Sequence, residues 1–165
     1  MSFTEMLNAY SLWIAFPGLL LGIVMLVPIK RCQVRVPVYT TVIVIGLVAV
    51  LVLRPGSSTV SSTAEANGIL ASGQPVFVEF FSNSCTLCLA SEPKVRSLQS
   101  AVDGRAEVVR LNVQDDFALP LMRQYSAFSL PTFVVVDGAG EVKWRQSSSL
   151  LDVDAALAAL DLENS

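Results

Sequence analysis

The chain has 165 residues, 53% hydrophobic and 15% charged, with a formal net charge of −3, three cysteines and no histidine. That length holds one domain plus accessories. The acidic balance excludes a nucleic-acid binder that works through a basic face, and the absence of histidine removes the commonest metal ligand.

Taken in chain order, the first feature is two charge-free gaps. No Asp, Glu, Lys or Arg lies between Glu5 and Lys30, or between Arg35 and Arg54. Each gap is close to the ~20 apolar residues that cross ~30 Å of hydrocarbon. The spacing therefore predicts two transmembrane helices, near residues 10–29 and 36–53. A cleaved signal peptide is the alternative for the first, but it wants a basic start, and Met1 to Ser11 carries only Glu5. Membrane helices tolerate Pro17-Gly18, and Tyr10, Trp13 and Tyr39 fall near span ends, where aromatic rings favour the interface. Lys30, Arg31 and Arg35 assign the 30–35 loop to the cytoplasm, with Arg54 the exception, so both termini face the other side. Residues 1–55 thus read as a two-pass hairpin in the lipid bilayer, the cytoplasmic membrane of a bacterium. The remainder, with seven basic and thirteen acidic residues, is periplasmic or extracytoplasmic. The spans hold no cysteine pair and no charge, which makes them an anchor or a docking surface rather than an electron relay. Cys32, beside Arg31, reads as a small apolar residue, with lipidation as the alternative.

A polar stretch, Arg54 to Ser62, supplies a linker at 56–62, and a domain follows at 63–165. Ser62-Thr63-Ala64-Glu65 has capping-box spacing and starts a helix to Ala71. Val76 to Phe81 is a buried strand. A helix runs from Cys85 to about Ala101, with Ser82, Asn83 and Ser84 as candidate N-caps. Glu107 to Val113 is a strand and Pro120 to Ser126 a short helix with proline in its first turn. Thr132 to Val136 and Glu141 to Arg145 are strands joined by a turn at Asp137 to Gly140. Asp152 to Leu160 is a closing helix. Strands alternating with helices imply an α/β fold with a parallel portion, to which the hairpin adds antiparallel strands.

The chemistry-bearing motif is Cys85-Thr86-Leu87-Cys88, at the junction of a strand and a helix. A helix N-terminus presents unpaired N–H groups and partial positive charge, which stabilises a thiolate in the first turn. Cys85 is therefore the expected nucleophile. Cys88, one turn on and more buried, is the expected resolving thiol. Glu79 interrupts an apolar strand. It is either a desolvated acid of raised pKa that manages the Cys88 proton, or a carboxylate at a sheet margin or paired with an arginine. The Leu130–Pro131 bond reads on base rate as trans.

These residues together resemble a thioredoxin-fold domain over about Thr63 to Leu160. Glu79 stands six residues before Cys85, Pro93 five after Cys88, and Leu130-Pro131-Thr132 precedes a strand pair with a glycine-bearing turn. The resemblance implies a central mixed sheet flanked by helices, a buried Glu79, a cis Pro131, and a backbone around Leu130 and Pro131 that binds extended substrate. Ser84, Thr86-Leu87 and Leu89 stand where typical thioredoxins have Trp, Gly-Pro and a basic residue, and Glu79 where thioredoxin itself usually has Asp. The chain looks closer to membrane-tethered bacterial relatives of the thiol:disulfide interchange type.

The expected function is a tethered thiol–disulfide oxidoreductase acting on extracytoplasmic protein thiols and disulfides, in a reductase or interchange role, with Cys85, Cys88 and Glu79 catalytic. Neither cofactor nor metal is expected, because zinc wants four Cys or His ligands and copper carriers of related fold add a histidine. Electrons would come from a membrane-bound donor. The rivals are a non-catalytic binding subunit, a structural disulfide, and an oxidase or isomerase.

Overall fold

The computed structural model describes residue 22, residues 32–53 and residues 56–160, and within 32–53 the side chains of 37–48. Apart from residue 22, the first expected span lies outside the described residues, as do Lys30, Arg31, Arg54 and the side chains of Cys32 and Arg35. Helix α1, Cys32–Leu53, runs 22 residues with Pro37 inside it. It begins four residues before the expected second span, so residues 32–35 are helix rather than loop. Counted over the described residues, no helix is long and apolar enough to cross a membrane.

The domain is a three-layer α/β/α stack. Its strands are β1 (Val76–Phe81), β2 (Glu107–Asn112), β3 (Thr132–Val136) and β4 (Val142–Ser147). They lie in the order β2-β1-β3-β4, with β1 parallel to β2 and antiparallel to β3, and β3 antiparallel to β4. The helices are α2 (Thr63–Leu70), α3 (Thr86–Val102), α4 (Leu119–Gln124, after a 3₁₀ turn at Asp116–Ala118) and α5 (Val153–Ala159). Strands β1 and β3 match the sequence expectation residue for residue, because a strand buried on both faces is a continuous apolar run. The ends of β4 move to Val142 and Ser147, since Asp137 holds Glu141 in the turn through Oδ1 and through its main chain.

Strand periodicity sorts the core into two layers. Val76, Val78, Phe80, Val109, Leu111, Val134 and Val136 face Ala66 and Leu70 of α2 and Leu121 and Met122 of α4. Phe77, Phe133 and Val135 face Val95, Leu98 and Val102 of α3 and Ala156 of α5. Glu79 and Arg110 are strand neighbours in register. By the same alternation both belong to the α3 side.

The expected linker is docked along β2. Thr59 N–H donates to Arg110 O (3.0 Å) and Thr59 Oγ1 accepts from Arg110 N–H (2.9 Å). Ser58 Oγ accepts from Asn112 N–H (2.8 Å) and donates to Asp115, and Val60 is buried. The physical reason is the open edge of β2, whose unpaired N–H and C=O groups need partners. Beyond the end of the sheet where β1 begins and β3 finishes, Gly138 lies against the Gly73 backbone so closely that a Cβ would overlap it, which fixes glycine there.

Candidate active site

Strand β1 ends at Phe81, and a tight turn carries the chain into α3. Cys85 N–H donates to Ser82 O (3.2 Å) and Ser84 N–H to Ser82 Oγ (3.2 Å). The N-cap is Cys85 itself rather than Ser82, Asn83 or Ser84. Its backbone is extended (φ −93°, ψ 115°) and its Sγ accepts from Cys88 N–H at 3.2 Å. The sulfur thus occupies the position where a capping oxygen usually sits, facing the N-terminal donors of the helix.

Both thiols are unbridged. The sequence predicts Cys88 as the more buried thiol, yet both residues are fully buried, with exposed Thr86 and half-buried Leu87 beside them in the turn. The two differ in ionisation. A hydrogen bond from the Cys88 thiol lowers the Cys85 pKa, against the opposing effect of burial, and the Cys88 and Leu87 N–H groups lower it further. Desolvation drives the Cys88 thiol far upward, reinforced by the Cys85 sulfur beside it. Cys85 is therefore the more readily ionised thiol and Cys88 the one that keeps its proton, the ordering that exchange requires.

Glu79 is fully buried. It is desolvated and paired with an arginine, and it lies in a strand with neighbours on both sides rather than at a sheet margin. Arg110 Nε donates to Glu79 Oε2 at 2.5 Å, while Glu79 Oε1 has no hydrogen-bond partner among the described residues. Burial pushes the Glu79 carboxyl up to about 7; Arg110 works downward and Glu92 upward. Its charge is felt at both sulfurs, so a proton can be held near the dithiol at neutral pH.

This raised value has a stability consequence. The folded state binds the Glu79 proton more tightly than the unfolded chain, so the stabilisation is complete below the ordinary value of 4.5 and is lost as the pH climbs towards 7. The loss amounts to about 3 kcal/mol. Urea unfolding of the full chain and of a Glu79→Gln variant at stepped pH checks it, because only the parent carries this slope.

The Leu130–Pro131 bond is cis, as the resemblance implied and against the base rate for such bonds. Leu130 packs in the same cluster as both cysteines. Pro131 lacks an N–H, and its carbonyl accepts from Ser148 N–H (2.9 Å). Pro93 lies inside α3.

Sequence reasoning missed three site residues. Arg110, which shares β2 with Glu107, bridges Glu79 and Glu92 and lies over the Phe81 ring at 5.1 Å. Glu92 falls on the Cys88, Glu92, Val95 stripe of α3, a helical spacing that signals burial. Asn83 clasps the docked segment in both directions, accepting from Gly56 N–H (3.0 Å) and donating to Gly56 O (2.7 Å).

Residues 58–155 match the thioredoxin family model. The chain belongs to the thioredoxin family. It is 28% identical over 94 residues to the thiol:disulfide interchange protein TxlA of Synechococcus elongatus, covering 57% of this chain and 48% of that protein. It is 34% identical over 71 residues to a TxlA homolog of Synechocystis, covering 43% and 39%. The chain thus spans less than half the length of these two relatives. It is also 32% identical over 84 residues to thioredoxin 1 of Chlorobaculum tepidum, covering 50% of this chain and 78% of the relative. Among solved structures, a mutant thioredoxin from Halobacterium salinarum superposes with a TM-score of 0.53 at 24% identity, covering 64% of this chain and 88% of that one, which speaks to the fold. The thioredoxin-family domain is a thiol–disulfide oxidoreductase module in its fold, its paired cysteines and its kin.

Proposed function

We propose that the protein is a membrane-tethered thiol–disulfide oxidoreductase that exchanges electrons with extracytoplasmic protein thiols and disulfides, in a reductase or interchange role. The observation that carries the chemistry is the N-cap position of Cys85, with its sulfur facing helix N–H donors and the Cys88 thiol.

Cys85 thiolate attacks one sulfur of a partner disulfide. A mixed disulfide forms and the partner's second sulfur leaves as a thiolate. Cys88 gives its proton to the Glu79 carboxylate and attacks Cys85 Sγ. The partner departs with two added electrons, and the Cys85–Cys88 disulfide remains. A dithiol donor must reduce it again, and a membrane-bound protein is the proposed source. The backbone around Leu130 and cis Pro131 receives the partner's extended segment, a role supported by the packing of Leu130 in the same apolar cluster as both cysteines.

Tethering at the cytoplasmic membrane, with the domain outside the cytoplasm, is supported by the two charge-free apolar runs and by the basic residues between them. Helix α1 adds support: Val44, Ile45, Leu47 and Val48 are at least half exposed, a surface that lipid would cover. The likeness to interchange proteins supports the reaction class.

Expression of a Cys88→Ser variant tests the reading, because the resolving thiol is gone and mixed disulfides on Cys85 accumulate. Non-reducing gels should show adducts that collapse with reductant and are absent when Cys85 is also replaced; adducts with cytoplasmic proteins alone would overturn the proposed location. A reduction potential near ~−270 mV goes with the reductase role, and one near ~−120 mV with an oxidant.

A further inference from the structure

Two buried carboxylates share one guanidinium. The side chains of Glu79, Glu92 and Arg110 are 0%, 2% and 8% exposed. Arg110 turns its two Nη atoms to Glu92, at 2.6 Å and 3.4 Å, and its Nε to Glu79 at 2.5 Å. Glu92 has a second cation, Arg96, whose Nε lies 2.8 Å from Oε1 and whose side chain reaches solvent. Glu79 has one contact and one bare oxygen.

The charge count then decides where a proton sits. Two ionised carboxylates against one enclosed guanidinium leave an uncompensated negative charge in the core, which one proton relieves. Glu92 is held by two guanidinium groups. Glu79, dry and singly bonded, takes the proton. We propose that Glu92 is a positioning residue for the dithiol's proton chemistry: by engaging Arg110 it keeps that cation from being spent wholly on Glu79, whose carboxyl is left to carry the exchangeable proton. This rests on Glu79 serving as the proton carrier described above.

Among the described residues, Arg110 and Glu92 are the charges that act on the Glu79 carboxyl. Strand β2 brings Arg110, and α3 with its cap brings Glu92, Cys85 and Cys88. Strand β3 brings Phe133 opposite it, and α5 contributes Ala156 to that layer. Without the Glu92 charge, all of Arg110's attraction falls on Glu79. Its carboxylate becomes a weaker base and a poorer acceptor for the Cys88 proton.

The test is titration of the Glu79 carboxyl by NMR, in the isotope-labelled full chain held in detergent, with the resonance assigned by its loss in Glu79→Gln. Glu92→Gln keeps the shape and the acceptor oxygen but removes the charge. The expected result is a fall of roughly tenfold or more in Glu79 proton affinity, a midpoint about one pH unit lower. In parallel, the inflection in the resolving step moves to lower pH. A midpoint that stays put or rises overturns the proposal. The parent protein supplies a check that needs no variant: a cluster proton found on Glu92 rather than Glu79 at mildly acid pH also overturns it. The titration requires no turnover, so its outcome is separate from that of the exchange reading, which the trapping experiment decides.

Discussion

A Cys85→Ser variant of the full chain loses disulfide exchange by about three orders of magnitude or more, while its unfolding curve stays close to that of the parent. The nucleophile is a thiolate held by the helix N-terminus and by the Cys88 thiol, and a serine hydroxyl at the same point does not ionise to replace it. The two cysteines act as a unit, so replacing Cys88 as well adds little further loss. The measurement is the rate at which the reduced protein cleaves a chromogenic aryl disulfide, with stability read in parallel. An unaltered cellular function in Cys85→Ser would instead establish the non-catalytic binding subunit, which uses the same fold without its thiols.

The largest effect on stability belongs to Arg110→Met. Among the described residues Arg110 is the one cation bonded to Glu79 and one of two on Glu92; those carboxylates raise its pKa against desolvation and, with the Phe81 ring, sustain the burial of its guanidinium. Methionine fills much of the volume but leaves two enclosed carboxyls with one guanidinium between them, at the solvent margin. Breaking one side of a buried ionic cluster costs about 3–5 kcal/mol. The loss is greatest at neutral pH and partly recovered in acid, where protonation removes the uncompensated charge. Chemical denaturation at two pH values checks both statements; a uniform loss at both would mean that packing, not charge, is what Arg110 provides.

The chemistry and much of the scaffold are legible in the residues because they are local. Two cysteines three apart after an apolar run define the dithiol. Ser62 and Glu65 announce the start of α2, where Ser62 Oγ accepts from Glu65 N–H at 3.1 Å and Glu65 answers on Ser61 rather than on Ser62. Runs such as Val76 to Phe81 define strands without any partner in view. The offsets of Glu79, Pro93 and Pro131 from the dithiol were enough to imply the family, and the cis bond at Pro131 came with it.

What escaped is non-local. Arg110 lies 31 positions from Glu79 and 18 from Glu92, and only the parallel register of β1 with β2 and the packing of α3 across them bring the three together. The segment after α1 reads as a linker because it is polar, yet hydrogen bonds to an open strand edge, which no composition reveals, lay it along β2 and clasp it to Asn83. A sequence states which side chains can ionise. Whether they do so near neutral pH depends on desolvation and on the count of opposite charges within a few ångströms, and folding alone sets both. The thiol pair was therefore evident from its spacing, and the proton environment that governs it came into being with the tertiary fold.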